Sequence, residues 1–187
     1  CTQNGVRGGS ATVHFPIWHQ EIEDILVLKN NKGTEDNRVR KLDYSIQISE
    51  LFYKRFINDE DVSLFSPHDV DNLYDVYGSP EFDTLYEKYE RNKKIPRKTI
   101  GAQKLFMELL KERAETGRIY IMNIDHCNTH SSFKDKVYMS NLCQEITLPT
   151  KPVQHIDDPE GEIALCILSA INLGMIKDKE ELDELCD

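Results

Sequence analysis

A helix followed directly by a strand is encoded in residues 105–127, LFMELLKERAETGRIYIMNIDHC. The apolar residues of the first half recur at helical spacing and form one face: Leu105, Phe106, Leu109 and Leu110. Gly117 is predicted to end this helix, because glycine adopts the left-handed conformation of a helix C-cap at low cost. Residues 119–121 then begin a strand that leads to Asp125. Helix and strand patterns alternate in the same way elsewhere, which predicts the α/β class.

Upstream of this stretch the same alternation continues. Pro16 is predicted to open a helix, because its missing N–H costs little at the first helical position. A half-buried strand follows, in which Tyr44, Ile46 and Ile48 alternate with polar residues. Ser49 is predicted to cap the next helix. A short strand over 62–65 and two Ser-Pro pairs, which predict helices near 67–76 and 80–91, complete this region.

Downstream, the last third of the chain has weaker helical signals. Residues 141–148 alternate between polar and apolar side chains, which favours an extended strand. The run from Ile163 to Leu173 is almost continuously apolar, and this predicts a strand covered on both faces. An amphipathic helix is predicted from Lys177 to Asp187.

Charge and cysteine usage narrow the functional class. The 187 residues include 33 acidic and 23 basic side chains, a net charge of −10. A surface of this sign repels polyphosphate and argues against general nucleic-acid binding. Because no apolar run approaches the ~20 residues that cross a bilayer, and no signal peptide is recognisable, we expect no membrane association. Five scattered cysteines without a CxxC pair favour a reducing, cytoplasmic setting.

The first candidate site is the run Asn141-Leu142-Cys143-Gln144-Glu145. In an extended strand Asn141, Cys143 and Glu145 would share one face. A thiol can give a sulfur radical or, once ionised, a nucleophile. A glutamate can take a proton from a hydroxyl, and an asparagine amide both donates and accepts hydrogen bonds. The alternative is the exposed face of an edge strand that carries a cysteine by chance.

Two further cysteine-bearing stretches carry weaker signals. Cys166 lies in the apolar run, and free cysteines are most often buried for packing, so it gains interest only if it faces another thiol. The stretch 125–130, DHCNTH, has the residue types of a zinc site but lacks a second ligand pair at a usual distance. A hydrogen-bonded turn at the end of a strand explains it better, and we predict no metal site.

Residues 2–11 are predicted to form a glycine-rich loop around Arg7. Glycine lets the backbone approach a ligand closely, and one cation in such a loop suits a phosphate or a base edge. A plain turn is the alternative.

Seven motifs spread over the whole chain resemble one family, the large catalytic subunit of class I ribonucleotide reductases of the aerobic bacterial and bacteriophage kind. They are 3–9 (QNGVRGG), 26–31 (LVLKNN), 116–121 (TGRIYI), 125–130 (DHCNTH), 140–143 (SNLC), 148–152 (LPTKP) and 161–166 (GEIALC). The order and spacing of SNLC-x-E and GEIALC are highly specific.

The resemblance implies part of a ten-stranded α/β barrel with a central finger loop, here residues 141–146. Cys143 matches the cysteine whose thiyl radical abstracts the 3′-hydrogen of a ribonucleoside diphosphate. Glu145 matches the acceptor of the 3′-hydroxyl proton, and Asn141 matches the amide that contacts substrate hydroxyls. Cys166 matches one thiol of the redox pair. Within a specificity loop over 1–11, two positions match residues that relay the identity of the allosteric effector to the substrate base: Gln3 and Arg7.

The resemblance also implies partners for the complete subunit. The radical would come from a metal-containing small (beta) subunit, electrons from thioredoxin or glutaredoxin, and allosteric control from ATP and deoxynucleoside triphosphates. The complete catalytic subunit would form an alpha dimer in the cytoplasm, or in the host cytoplasm if the protein is viral. This chain itself would bind no metal or cofactor.

Finally, the resemblance implies that residues 1–187 are a central fragment of the barrel domain, with the partner thiol of Cys166 upstream of Cys1. A simple fragment, a split gene and an intein that once preceded Cys1 all remain open explanations. The chain alone is expected to be inactive. The alternative function is a non-catalytic fragment that complements a partner chain.

Overall fold

The computed structural model describes residues 2–186, apart from the side chain of Gln3, and these fall into two compact units that divide after Thr150. The strands in chain order are β1 (Thr2–Gln3), β2 (Arg7–Gly8), β3 (Thr12–Pro16), β4 (Asp43–Ile48), β5 (Asp61–Leu64), β6 (Lys98–Gly101) and β7 (Ile119–Asn123). The α-helices are α1 (Ile22–Leu26), α2 (Glu50–Ile57), α3 (Leu73–Val76), α4 (Glu81–Arg91), α5 (Ala102–Thr116), α6 (Ile124–Thr129) and α7 (Lys179–Cys186). The predicted α/β class is confirmed.

The first unit is built on a three-stranded parallel sheet with the order β3-β4-β7. Ile46 pairs with Phe15 on one side and with Ile121 on the other, so these three side chains lie on the same face. This apolar face packs against the buried residues of α1, α2 and α5 in the larger hydrophobic core. A helix layer on a parallel sheet is the arrangement that βαβ connections impose.

The opposite face of the same sheet is polar. Ser45 and Gln47 point there from β4, in register with His14 of β3 and with Tyr120 and Met122 of β7. Both Ser45 and Gln47 are fully buried. The prediction of a half-buried β4 is therefore wrong in one respect, since both faces of this strand are covered.

A second hydrophobic core forms around Trp18, Phe65, Tyr77 and Phe82. It lies next to the antiparallel pair of β5 and β6, whose register sets Val62 opposite Ile100. The predicted strand over 62–65 and the helix near 80–91 are confirmed by β5 and α4.

Of three local predictions in the first unit, one is confirmed and two are wrong. Gly117 has a φ of 66° at the C-cap of α5, as predicted. Pro16 ends β3 instead of opening a helix, and α1 begins only at Ile22. The helix predicted over 67–76 is split into a 3-10 turn (Pro67–Asp69) and α3, because Asn72 adopts a left-handed φ of 61° between them.

The second unit, residues 151–186, contains less regular structure. An isolated bridge joins Lys151 to Glu162, and a 3-10 turn (Leu173–Met175) precedes α7. Residues 163–173, which we call the apolar segment, form no strand in the described part of the chain. Most of their large side chains are exposed, including Ile167 at 94%. The prediction of a strand covered on both faces is wrong for this chain, because a strand needs neighbouring strands and this unit supplies none among residues 151–186.

The amphipathic helix predicted from Lys177 is present as α7, although the predicted end at Asp187 lies outside the described residues, as does Cys1. Among residues 2–186, no helix combines the length and the apolar character that crossing a membrane requires. The sheets formed by these residues have two, three and two strands, and none of them closes into a barrel.

Candidate active site

The polar face of the sheet receives residues 137–146, which we call the cysteine loop. Side chains of β3 and β4 contact three alternate backbone carbonyls of this loop. The pairs are Thr12 Oγ1 with the carbonyl of Leu142 at 2.6 Å, His14 Nε2 with that of Ser140 at 3.1 Å, and Gln47 Nε2 with that of Tyr138. Because every second carbonyl faces the sheet, the first half of the loop is held along its polar face.

The start of the cysteine loop is fixed on its other side by α6. Asn128 Nδ2 donates to the carbonyl of Val137 at 3.0 Å, and the Val137 N–H donates back to Asn128 Oδ1 at 2.9 Å. Tyr138 stacks on Tyr74, with ring centroids 6.0 Å apart. The Lys136 ammonium lies 4.7 Å from the centroid of the Tyr138 ring, and burial lowers the pKa of this ammonium to about 8. These contacts fix the position of the first two residues of the cysteine loop, Val137 and Tyr138.

The tip of the cysteine loop is closed by Asn141. Its Oδ1 accepts from the Ile146 N–H at 3.0 Å and from Ser140 Oγ at 3.2 Å, and its backbone N–H donates to the Ile146 carbonyl at 3.3 Å. The Gln144 N–H donates to the Asn141 carbonyl at 3.2 Å, which makes a turn. The extended strand predicted over 141–148 is therefore wrong here, and with it the shared strand face.

Cys143 lies in the turn that Asn141 closes, and its side chain is exposed as a free thiol. Glu145 is exposed two residues further along. Asn141, Cys143 and Glu145 thus lie in one closed loop of six residues, 141–146, and their roles stay predictions that the resemblance implies. An exposed thiol can donate or accept a hydrogen atom, and an exposed carboxylate two residues along the same loop can take a proton.

Gln144 anchors this tip to the sheet, which the sequence did not predict. Its Oε1 accepts from Ser45 Oγ at 2.5 Å, and its Nε2 donates to the Ile121 carbonyl at 2.7 Å. Its backbone is left-handed, with a φ of 65°. That conformation costs a residue with a side chain about 1–2 kcal/mol. The two side-chain hydrogen bonds contribute about 0.5–1.5 kcal/mol each and offset this cost.

The surroundings of His14 disfavour the charged imidazole where the ring meets the cysteine loop. Burial lowers the pKa of its imidazole, and the hydrogen bond to Ser140 opposes that shift only in part. Its Nδ1 is buried without a hydrogen-bond partner among the described residues. A second proton on this ring would therefore place an unsatisfied charged N–H inside the protein, which is costly.

The predicted specificity loop forms a small antiparallel hairpin. β1 and β2 pair so that Gln3 lies directly opposite Arg7, and Asn4 and Gly5 have positive φ values of 51° and 74° in the turn. Arg7 is exposed. The two residues predicted to communicate an effector are thus cross-strand neighbours, although the side chain of Gln3 lies outside the described residues.

The other candidate residues occupy different settings. Cys166 is exposed in the apolar segment of the second unit. Cys127 is half-buried on α6, where burial raises the pKa of its thiol. The stretch 125–130 is largely helical instead of a turn, and Asp125 Oδ2 accepts from the Glu50 N–H at 2.5 Å at the start of α2. Burial is also the main cause that raises the pKa of the Asp125 carboxyl.

Three relatives show how far the sequence similarity extends. The ribonucleoside-diphosphate reductase subunit alpha of Buchnera aphidicola subsp. Schizaphis graminum is 56% identical over 190 residues, 99% of this chain and 25% of the relative. The ribonucleoside-diphosphate reductase 1 subunit alpha of Escherichia coli K12 is 54% identical over 158 residues, 82% of this chain and 21% of the relative. The subunit alpha of Enterobacteria phage T4 is 43% identical over 195 residues, 100% of this chain and 26% of the relative.

The chain thus spans about a quarter of the length of these curated relatives. The family model described as "ribonucleotide reductase, barrel domain" matches residues 1–187. The match covers the central sheet, the cysteine loop on its polar face and the hairpin of β1 and β2. The open sheet is what an incomplete part of that barrel would leave. The chain therefore belongs to the ribonucleotide reductase family, within its barrel domain.

Proposed function

We propose that this chain is a segment of the catalytic subunit of a ribonucleoside-diphosphate reductase, an oxidoreductase that makes deoxyribonucleotides for DNA synthesis. The observation that carries the proposal is the cysteine loop, in which Cys143 is exposed on a closed turn anchored to the polar face of a parallel sheet. The names of the relatives support the same activity.

In the proposed reaction, the Cys143 thiyl radical takes the 3′-hydrogen atom of the substrate and becomes a thiol. Glu145 takes the 3′-hydroxyl proton, while the 2′-hydroxyl accepts a proton from a thiol pair that includes Cys166 and leaves as water. The same pair delivers a hydrogen atom to C2′ and one further electron to the substrate, and so becomes a disulfide. Glu145 then returns its proton to the 3′-oxygen, and Cys143 returns its hydrogen atom to C3′. Asn141 contacts the substrate hydroxyls; because its Oδ1 already closes the turn, its Nδ2 is the group we assign to substrate.

The proposal includes the partners of a complete reductase. The remainder of the catalytic subunit would complete the barrel and supply the second redox thiol. A small beta subunit would generate the radical, thioredoxin or glutaredoxin would reduce the disulfide, and ATP and deoxynucleoside triphosphates would act as effectors through the hairpin that pairs Gln3 with Arg7. The complete subunit would act as an alpha dimer on ribonucleoside diphosphates.

The decisive experiment uses the complete subunit that carries this segment, together with its small subunit and a dithiol. We expect Cys143→Ser to abolish deoxynucleotide formation, because an alcohol O–H does not replace the weak S–H bond. Cys127→Ser is the matched control, since Cys127 is half-buried on α6, and it should retain turnover. Unchanged activity of Cys143→Ser would contradict the proposal and favour a non-catalytic fragment. Residues 1–187 alone should show no turnover under the same conditions.

A further inference from the structure

The side chain of Gln144 joins the cysteine loop to two neighbouring strands at once. Its Oε1 accepts from Ser45 Oγ on β4 at 2.5 Å, and its Nε2 donates to the Ile121 carbonyl on β7 at 2.7 Å. Ser45 lies 99 residues away in sequence and Ile121 lies 23 residues away. Both ends of one amide are therefore used by the central sheet, and neither bond follows from the local sequence.

The backbone of Gln144 links the two side-chain hydrogen bonds of this residue to the orientation of Cys143. Gln144 follows Cys143 immediately, has a left-handed φ of 65°, and donates its N–H to the Asn141 carbonyl at 3.2 Å. Rotation of the peptide between Cys143 and Gln144 would break this turn bond or pull the amide off the sheet. The direction of the Cys143 side chain is thus coupled to the two bonds of the Gln144 side chain.

The other side-chain hydrogen bonds from the sheet reach the cysteine loop at residues that precede Cys143. Thr12 holds the carbonyl of Leu142, and His14 contacts that of Ser140. After Cys143, Gln144 makes the side-chain bonds from the tip to the sheet, while Asn141 closes the loop on itself at Ile146. Gln144 is thus placed between the predicted radical residue and the predicted proton acceptor, Glu145.

We propose that Gln144 is a positioning residue, which orients Cys143 and Glu145 relative to the substrate through its bonds to Ser45 and Ile121. This inference rests on the proposed function and deepens it. The proposal gives Gln144 no contact with the substrate or the reacting atoms, because both ends of its side-chain amide bond to the sheet. A displacement of reacting groups by about 1 Å can lower a rate by about 100-fold. Because the proposal gives Gln144 no contact with the substrate, we expect its loss to lower kcat and to leave KM nearly unchanged.

The test compares Gln144→Leu with Gln103→Leu in the complete subunit with its small subunit. Leucine keeps the approximate volume of glutamine but removes both bonds to the sheet. Gln103 is the matched control, because its Nε2 also donates to a backbone carbonyl, that of Phe56 at 3.2 Å, but from α5. We expect Gln144→Leu to lower kcat about 10- to 100-fold with KM changed by less than about threefold, and Gln103→Leu to keep both values.

A second variant distinguishes loss of the contact between Gln144 and Ser45 from misfolding of Gln144→Leu. Ser45→Ala removes only a hydroxyl, and we expect it to lower kcat in the same direction but less. The double variant should have the kcat of Gln144→Leu alone, because both changes break the same contact. Independent multiplication of the two effects, a rise in KM instead of a fall in kcat, or unchanged kcat in Gln144→Leu would each overturn the inference.

Two references separate failure of this inference from failure of the proposed function. If the unmodified subunit turns over and Cys143→Ser does not, the proposed function stands, and the Gln144 variants alone decide the positioning role. If the unmodified subunit forms no deoxynucleotide, or Cys143→Ser remains active, the proposed function and the positioning role both fall.

Discussion

The two cysteine-bearing regions, the cysteine loop of residues 137–146 and the apolar segment of residues 163–173, differ in what holds them. The cysteine loop is bonded to β3, β4, β7 and α6 within its own unit. The apolar segment contains Cys166 and exposes most of its large side chains. Residue type alone does not explain this difference, since the apolar segment is the more hydrophobic of the two. Burial depends on the partners that the same chain supplies, and among the described residues the cysteine loop bonds to a sheet whereas the apolar segment leaves most of its large side chains exposed.

The largest expected difference between the two units comes from matched isoleucines. Ile46 on β4 is 0% exposed, whereas Ile167 in the apolar segment is 94% exposed. Ile46→Ala should lower the free energy of unfolding of the chain by about 2–5 kcal/mol, because it removes buried methyl groups and leaves a cavity. Ile167→Ala should change it by less than about 0.5 kcal/mol. Urea denaturation followed by circular dichroism measures both, and a comparable cost at Ile167 would show that the apolar segment is packed.

A smaller effect is expected from two asparagines that each bond to a nearby backbone N–H. Asn141 Oδ1 accepts from Ile146 at 3.0 Å, and Asn172 Oδ1 accepts from Gly174 at 3.1 Å. Asn141→Ala should destabilise the cysteine loop by about 0.5–1.5 kcal/mol, because the Ile146 N–H loses its acceptor, whereas the Ser140 hydroxyl keeps the Ile146 carbonyl as an acceptor at 2.6 Å. Asn172→Ala lies at an exposed position and should have little effect. Hydrogen exchange of the Ile146 and Gly174 amides reports the two changes, and equal acceleration at both sites would contradict the comparison.

The smallest effect is a pH dependence of stability that arises at His14, where β3 meets the cysteine loop. Burial lowers the pKa of His14, so the unfolded chain binds a proton more readily than the folded chain. Stability should therefore be fully present above the unfolded value of about 6.5 and decrease as the pH falls through it. His14→Gln keeps an N–H donor for Ser140 without titrating. Unfolding free energies at pH 7.5 and 5.5 should show a shallower pH slope in the variant, although His19, whose pKa burial also lowers, retains part of it. An unchanged slope would remove His14 from this role.

Sequence reasoning succeeded where the determining contacts are local. The amphipathic pattern of α5, the left-handed Gly117 and the strand β7 follow one another within 22 residues, Ala102–Asn123, and were predicted correctly. Pro16 was misplaced because a proline that begins a helix and one that ends a strand have the same φ. The apolar run to Leu173 predicted burial wrongly for this chain, because apolar composition does not show whether residues 151–186 contain a strand that could pair with it.

The candidate site shows the same limit. The chemistry of Cys143, Glu145 and Asn141 was suggested by residue type and by the resemblance to a family, and the roles of these residues, like that of Cys166, stay predictions. The geometry of the loop was predicted wrongly, since alternation suggests a strand whereas Gln144 adopts a left-handed conformation. That conformation is supported by Ser45, 99 residues away. No spacing rule in the sequence identifies such a contact.

The chain contains a single tryptophan, Trp18, in the second hydrophobic core. Its ring meets that of Tyr77 edge-on at 6.0 Å, and its indole N–H is buried without a hydrogen-bond partner among the described residues. An indole in such an apolar setting fluoresces at shorter wavelength than one in water, and nearby tyrosines transfer excitation to it. The emission wavelength of Trp18 should therefore report the unfolding of the second hydrophobic core without an added label.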